Sequence, residues 1–417
     1  MARAKTLDVD CCIAGGGPAG MMLGMLLARA GLEVAVLEKH ADFFRDFRGD
    51  TIHPSTIELL GELGMREEFL ALPHNSIRTL DAVINGHRLH PVDFGYLTPP
   101  NDFLALMPQW DFLNFLAQKA AAHPGFHLLM STDATGLLRD GDTVTGVRAS
   151  GPDGDLQITA RLTVAADGRD STLRMAAGLV PDEFGVPIDV LWFHLPLPEQ
   201  NPPDTLAYLD GSSMLITIPR GDYYQVGLVI AKGGYDALRA AGIDAMRRLI
   251  TGAAPFLQPV VDTLADWDQV KLLSVQIDRL DSWHLPGLLV IGDAAHAMSP
   301  AFGVGVNYAV QDAVAAANAL VRPLRFGAGT AVLEEDCAGI QARRMPAVTR
   351  MQTPQLQVHK RLARPGGGAI LPVTLTRAQS IALAAAMPVV KRLTARMIGH
   401  GFVQEHLCDD LLVPSSR

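Results

Sequence analysis

Cysteine is scarce, with four residues in a chain of 417. So few cannot staple a protein of this length, and a core-stabilised fold in a reduced, cytoplasmic setting is expected. Cys11 and Cys12 are neighbours in an apolar strand-like run, which reads as core rather than as a redox or metal pair. No pair of histidines has metal-ligand spacing, so no metal is expected. Lys/Arg blocks are absent and the formal net charge is −9, which argues against nucleic acid and against a polybasic membrane patch. The opening "MARAKTLDVD" lacks the apolar run of a signal peptide. The run from Ile13 to Leu27 contains five glycines behind a strand-like stretch, so it reads as a turn and a buried helix, and no transmembrane span is expected. There is no internal repeat. The 48% hydrophobic content is enough for a large core and two or three domains.

Within "DVDCCIAGGGPAGMMLGMLLARAGLEVAVLEKH" the order is strand, tight turn, helix, strand and terminal acid. Gly15, Gly17 and Gly20, with Pro18 and Ala19 between them, form G-x-G-x-x-G. The first glycine permits the turn, the second lets backbone approach a pyrophosphate, and the third lets the helix lie close on the sheet. The helix start then offers unpaired amides to phosphate. Glu38, followed by Lys39, stands where a carboxylate can accept from ribose hydroxyls. Such an acid suits NAD or the adenosine half of FAD, and this motif alone does not choose between them.

Further along, Pro54 and Gly64 bracket an amphipathic helix, and Asn85-Gly86 between alternating apolar residues signals a hairpin. "PQWDFLNFLAQKAAAHPG" reads as a helix, Phe126 to Ala166 as a three-stranded antiparallel meander, and Asp182 to Ile230 as a second β-sheet. Helices are expected from about Ile243 to Leu264, with a strand near 271–277 leading back to "GLLVIGD". From about 346 onward, helical patterns broken by prolines suggest an appended helical region. The nucleotide-binding unit is therefore interrupted twice by sheet material: 1–75, 101–180 and 271–345 against 76–100 and 181–270, with 346–417 as a carboxy-terminal helical region.

The stretch "GDAAHAMSPAFGVGVN" (292–307) follows the apolar run "GLLVI" and precedes an Ala-rich helix. Gly292 and Asp293 mark a strand tip, where the acid can hold a polyhydroxylated chain. Gly303, Gly305, Val306 and Asn307 place bare amides and a helix start where a ring edge that turns negative on reduction would need them. Acid for the sugar and bare backbone for the ring describe FAD.

Three ordered motifs carry a resemblance: Gly15 to Gly20 with Glu38; Asp167-Gly168 in "AADGRDSTLR"; and Gly292-Asp293 with the glycines after Pro300. Together they resemble the p-hydroxybenzoate hydroxylase-type (class A) flavoprotein monooxygenases over about residues 8 to 345. The resemblance implies an α/β fold, with a Rossmann-like FAD-binding domain of the GR2 type interleaved with a mostly antiparallel β-sheet substrate domain, plus carboxy-terminal helices. It implies FAD as cofactor, NADH or NADPH as transient co-substrate without a domain of its own, and O2. Reduced flavin of that family forms a C4a-hydroperoxide that hydroxylates or epoxidises an electron-rich small molecule. By the same resemblance Asp167 and Gly168 lie near the pyrophosphate, Pro300 faces the flavin ring, Arg48 stands by the mobile flavin, and Gln109 makes a polar contact to FAD. Plainer roles stay open for three of them: Arg48 as a surface charge, Gln109 as a helix-start residue, Asp167 as a turn residue. Ser299-Pro300 stands where many members carry Pro-Pro, and Val304 where many carry Gln.

Other functional readings are an FAD-dependent oxidoreductase moving hydride without oxygen insertion, and a non-catalytic binder on the same fold. The substrate is expected to be an apolar aromatic or polyene, because alternate residues of "SMLITIPR" and "YQVGLVI" offer apolar faces to the cleft. Trp192, Met214, Ile216 and Tyr224 are the candidate wall residues. His296 could be near the cofactor or purely structural.

Overall fold

The computed structural model describes residues 5–44, 51–84, 87–199, 207–210, 213–362 and 377–412. The strand Lys5–Ala14 lies between two parallel neighbours, Gly154–Ala165 and Val34–Leu37. Its last four residues are buried, as expected of an apolar run covered on both faces. Phe126–Leu129 extends the parallel order on one side and Leu288–Val290 on the other. Asp133–Asp140, Thr143–Gly151 and His284–Leu285 complete an eight-stranded sheet as antiparallel additions. The meander expected from Phe126 onward is thus split. Phe126–Leu129 follows the helix Gln109–Ala120, and that crossover returns it parallel to Val34–Leu37. The helices Pro18–Arg29 and Gly305–Arg325 pack against each other beside this sheet.

A second sheet of seven strands runs in the order Lys271–Ser274, Ile188–Pro196, Tyr223–Ala231, Ser213–Arg220, Ala207–Asp210, Thr79–Ile84, His87–Asp93. Asn85 and Gly86 lie outside the described residues, while the flanking Ile84 and His87 pair antiparallel. Lys271–Ser274 does not lead the chain back to the nucleotide fold as the sequence suggested. It pairs with Ile188–Pro196, where it completes the edge of the second sheet. The hairpin Thr79–Ile84 with His87–Asp93 is one visit of the chain to this sheet, and the longer visit begins and ends at a two-stranded pair, Asp182–Glu183 with Asp278–Arg279.

The carboxy-terminal helices are integral rather than appended. Thr330–Leu362 starts well before residue 346, contains Pro346 and Pro354, and packs along Gly305–Arg325. Side-chain burial there offsets the amide bonds that the prolines remove. Arg377–Gly399 rests on His87–Asp93, and Arg29 donates to the carbonyls of Leu411 and Leu412. Among the described residues, no helix is long and apolar enough to cross a membrane.

Candidate active site

At the tip of the first strand Gly15 adopts φ +107°, and a Cβ there would sit 2.2 Å from the carbonyl oxygen of Ala166. Only glycine allows so close a passage, which sets the loop against Asp167. Gly17 caps the helix Pro18–Arg29 without a side-chain bond, and a Cβ built on it meets nothing within 4 Å. Among the described residues the backbone there leaves room for a phosphate beside the uncapped helix start. Glu38, almost buried, accepts from the Gly16 amide (3.2 Å) and the His40 amide (3.0 Å), while Lys39 is exposed. Two backbone bonds order the carboxylate and leave further lone pairs for sugar hydroxyls.

The second strand tip adjoins the first. A Cβ on Gly292 would lie 3.2 Å from the Cβ of Ala19. Asp293 accepts from Arg169 Nε (3.1 Å), and Arg169 also donates to Met298 O (3.2 Å). Asp167 accepts from the Ser171 hydroxyl and from the Leu173 amide, so its carboxylate orders its own turn beside Gly15. Burial pushes the Asp167 carboxyl up, against the pull of those hydrogen bonds. Gly168 follows with φ +84°.

Beyond Pro300 the chain turns through two positive φ angles, Phe302 (70°) and Gly303 (64°), and Thr51 Oγ1 donates to Gly303 O (2.8 Å). A left-handed phenylalanine is strained, and such strain gathers at functional sites. The helix Gly305–Arg325 begins without a side-chain cap. Val306 and Asn307 are buried in its first turn; Asn307 Oδ1 accepts from Ser55 Oγ (2.6 Å), while its Nδ2 has no partner among the described residues. Gln109, half-buried, is the first residue of its helix. Arg48 lies outside the described residues. Two uncapped helix starts, a carboxylate at each strand tip and an orphaned buried amide suit one long ligand with a diphosphate, sugar hydroxyls and a ring acceptor edge. That is the donor and acceptor set of FAD.

Of the wall candidates, the register aligns Trp192 with Gly227 and Ile216, and Met214 with Val229, on one face of the second sheet. Tyr224 is on the other face and does not join them. It pairs with Leu195, is buried, and meets Phe256 edge-on under the helix Ile243–Ala253. The period of two puts Tyr224, Val226 and Leu228 opposite to Met214, Ile216 and Ile218.

Sequence reading missed the side chains that brace the site. His296, fully buried, packs at a tilt against Trp283 and donates from Nε2 to Asp312 Oδ2 (2.6 Å), a structural role. Asp312 also accepts from the Gly292 amide (3.2 Å) and from Arg344 Nε (2.9 Å). Arg344 Nη1 reaches Glu405 Oε1 (3.3 Å), and Glu405 takes both of its oxygens to Arg343 Nε (2.8 Å). Burial alone would raise the Asp312 carboxyl, yet His296 and Arg344 outweigh it and hold it below the ordinary range. Asp312 and Arg344 are 32 residues apart and Arg344 and Glu405 are 61 apart, so spacing carried no signal for the network.

A second brace comes from the long helix. Gln352 Nε2 donates to Ala297 O (3.1 Å), and Gln355 bonds the Ser299 amide and the carbonyls of Ser299 and Ala301. Ser299 Oγ accepts from the Ala301 amide and is 2.6 Å from His359 Nε2. The hydroxyl keeps a second lone pair as well as its proton, so the direction of this bond follows the imidazole tautomer. Burial lowers His359 to about 4. A depressed histidine contributes stability that is present above the unfolded value and lost as pH falls through the folded one. His359→Gln should therefore lose less of its melting temperature than the wild type between about pH 6.5 and pH 4, the window set by the two pKa values. Thermal scans across that range check it, and parallel curves would deny His359 this role.

A family model for an FAD-binding domain matches residues 8–350. The 6-methylpretetramide 4-monooxygenase of Streptomyces rimosus is 33% identical over 371 residues, covering 87% of this chain and 86% of the relative. Aklavinone 12-hydroxylase DnrF of Streptomyces peucetius is 28% identical, over 78% of this chain and 70% of the relative. Among solved structures, the anhydrotetracycline hydroxylase OxyS of Streptomyces rimosus superposes with a TM-score of 0.75 at 23% identity, covering 96% of this chain and 77% of that one. PqsL of Pseudomonas aeruginosa gives 0.72 at 22%, covering 85% and 97%. The cradle for FAD and these likenesses coincide over the same residues: the chain belongs to the FAD-binding-domain family and is an FAD-dependent monooxygenase of the p-hydroxybenzoate hydroxylase type.

Proposed function

We propose that the protein uses NAD(P)H and O2 to hydroxylate or epoxidise an apolar, largely uncharged aromatic or polyene. For hydroxylation the balance is RH + O2 + NAD(P)H + H⁺ → ROH + H2O + NAD(P)⁺. Bound FAD would supply the oxygen activation. The chain's part is to hold its sugars through Glu38 and Asp293, its diphosphate at the Gly17 cradle and its ring edge along Gly303–Asn307, with Pro300 against the ring. Gln109 and Arg48 are assigned to the flavin's flank on the family resemblance.

The observation that carries the substrate class is the asymmetry of the second sheet. One face is sealed by the helix Ile243–Ala253, with Leu191, Phe193, Leu215, Val226 and Leu228 buried. On the other face Met214, Ile216 and Val229 stay half-exposed, an apolar strip on the side of the core cluster to which Phe302 belongs. A strip of this kind desolvates a flat apolar ligand, at roughly 25 cal/mol per Å² buried. Relatives named for polycyclic substrates are in keeping with it.

Two substrate panels test the reading: fused polycycles against small hydroxybenzoates. Stimulated NAD(P)H oxidation and coupled oxygenated product are expected with polycycles, and coupled turnover confined to benzoates would refute it.

A further inference from the structure

On the open face of the second sheet the apolar strip is flanked by Lys271 at one edge and by His194, Tyr223 and Arg220 at one end, and two polar side chains are buried beside it. Trp192 and Gln225 are 7% and 4% exposed, and neither Trp192 Nε1 nor Gln225 Nε2 has a hydrogen-bond partner among the described residues. Both belong to the face of Ile216. Trp192 is opposite Gly227, Gln225 is opposite His194 and Ile218, and Gly227 is two residues from Gln225. The tryptophan's posture is specific. A Cβ on Gly227 would lie 3.0, 3.1 and 3.2 Å from three consecutive atoms of the six-membered ring. Near-equal distances place that point over the ring face rather than at its edge, so the indole lies flat across a strand that has no side chain there. Its N–H then points along the wall instead of into the sheet.

An unpaired buried donor costs free energy comparable to a lost hydrogen bond, and native structures rarely keep one without a reason. Two on one face of the sheet, beside a half-exposed apolar strip, share a single explanation. We propose that Trp192 Nε1–H and the Gln225 side-chain amide receive oxygen atoms of the substrate, so that the ligand is a fused-ring ketone, quinone or phenol rather than a hydrocarbon polyene. The assignment rests on the monooxygenase reading above and narrows its substrate class. Tryptophan nitrogen only donates, so the group opposite it must accept: a carbonyl or phenolic oxygen. The flat indole and the strip of Met214, Ile216 and Val229 supply area, and the two N–H groups supply register.

Xanthone and xanthene, tricycles of one size that carry a carbonyl and a methylene at the same ring position, serve as probes with the FAD-loaded protein. Binding is read from the flavin absorbance change and independently by calorimetry. Wild type should bind xanthone at least about tenfold more tightly than xanthene, as expected for hydrogen bonds to buried donors. Trp192→Phe keeps the ring and loses the N–H, while Gln225→Leu keeps the bulk and loses the amide. Each should weaken xanthone by about tenfold and leave xanthene within about twofold, with unchanged FAD content and melting temperature. Equal losses for both probes, or no loss for xanthone in either variant, would overturn the donor assignment while leaving the polycycle reading intact. If neither probe binds wild type and hydroxybenzoates do, the polycycle reading falls and the donor assignment falls with it.

Discussion

Arg344→Met is expected to cost about 3–5 kcal/mol of stability, because it removes one partner from a buried ion network and leaves two carboxylates behind. Arg344, Asp312 and Glu405 are all fully buried. Methionine fills much of the arginine's volume, so packing is largely conserved and the loss reports charge. At the usual entropy of unfolding per residue, a cooperative chain of this size would lose roughly 3–6 °C of melting temperature. Adding Asp312→Asn and Glu405→Gln to the same background should recover part of the loss, since the two buried anions left with only His296 and Arg343 as charged partners are then neutral. FAD retention should fall too, because Asp312 also receives the Gly292 amide at the second strand tip. Scanning calorimetry of the single and triple variants tests this, and a single variant melting with the wild type would show that the network carries no net stability.

Gly17→Ala separates folding from cofactor binding. The residue has φ −76° and ψ −175°, which any amino acid tolerates, and its Cβ would enter open space. The apo protein should therefore melt with wild type. The same methyl group would stand in front of the first-turn amides, where backbone must approach a phosphate. A loss of FAD affinity of at least about tenfold, some 1.4 kcal/mol, is expected from flavin fluorescence titration. Gly15→Ala makes the contrast: its Cβ would overlap the Ala166 carbonyl, so both folding and binding should suffer. Unchanged affinity in Gly17→Ala would place the phosphates elsewhere.

How much of this could be read from the chain depended on how local the signal was. Gly15 to Glu38 and Gly292 to Asn307 each encode strand, turn and helix within a few tens of residues, so glycine spacing and a terminal acid were enough to find them. The wall was legible only by half. Period two picked out the faces of Ser213–Arg220 and Tyr223–Ala231, but whether Tyr224 shares a side with Ile216 is fixed by cross-strand register, which the sequence does not print. Asp312, Arg344 and Glu405 stayed hidden because each looks like an ordinary helix or loop charge until the fold buries all three together. Ser299 shows the reverse: its departure from Pro-Pro was visible, and its cause, a hydroxyl held between Ala301 and His359, needed the long helix in place.

The pair Asp182–Glu183 with Asp278–Arg279 has a use in protein engineering. Residues that leave the nucleotide body and residues that return to it stand opposite one another, Asp182 to Arg279 and Glu183 to Asp278. Everything between them is a single excursion with adjoining ends, so it can be exchanged as a cassette between relatives without rerouting the parallel sheet. One seam must be matched in any such graft: Ala207–Asp210 pairs with Thr79–Ile84, which belongs to the recipient. A chimera that keeps Ala207 aligned with Ala82 would carry the donor's sheet face into the recipient, and its substrate choice would show directly whether that face selects the ligand.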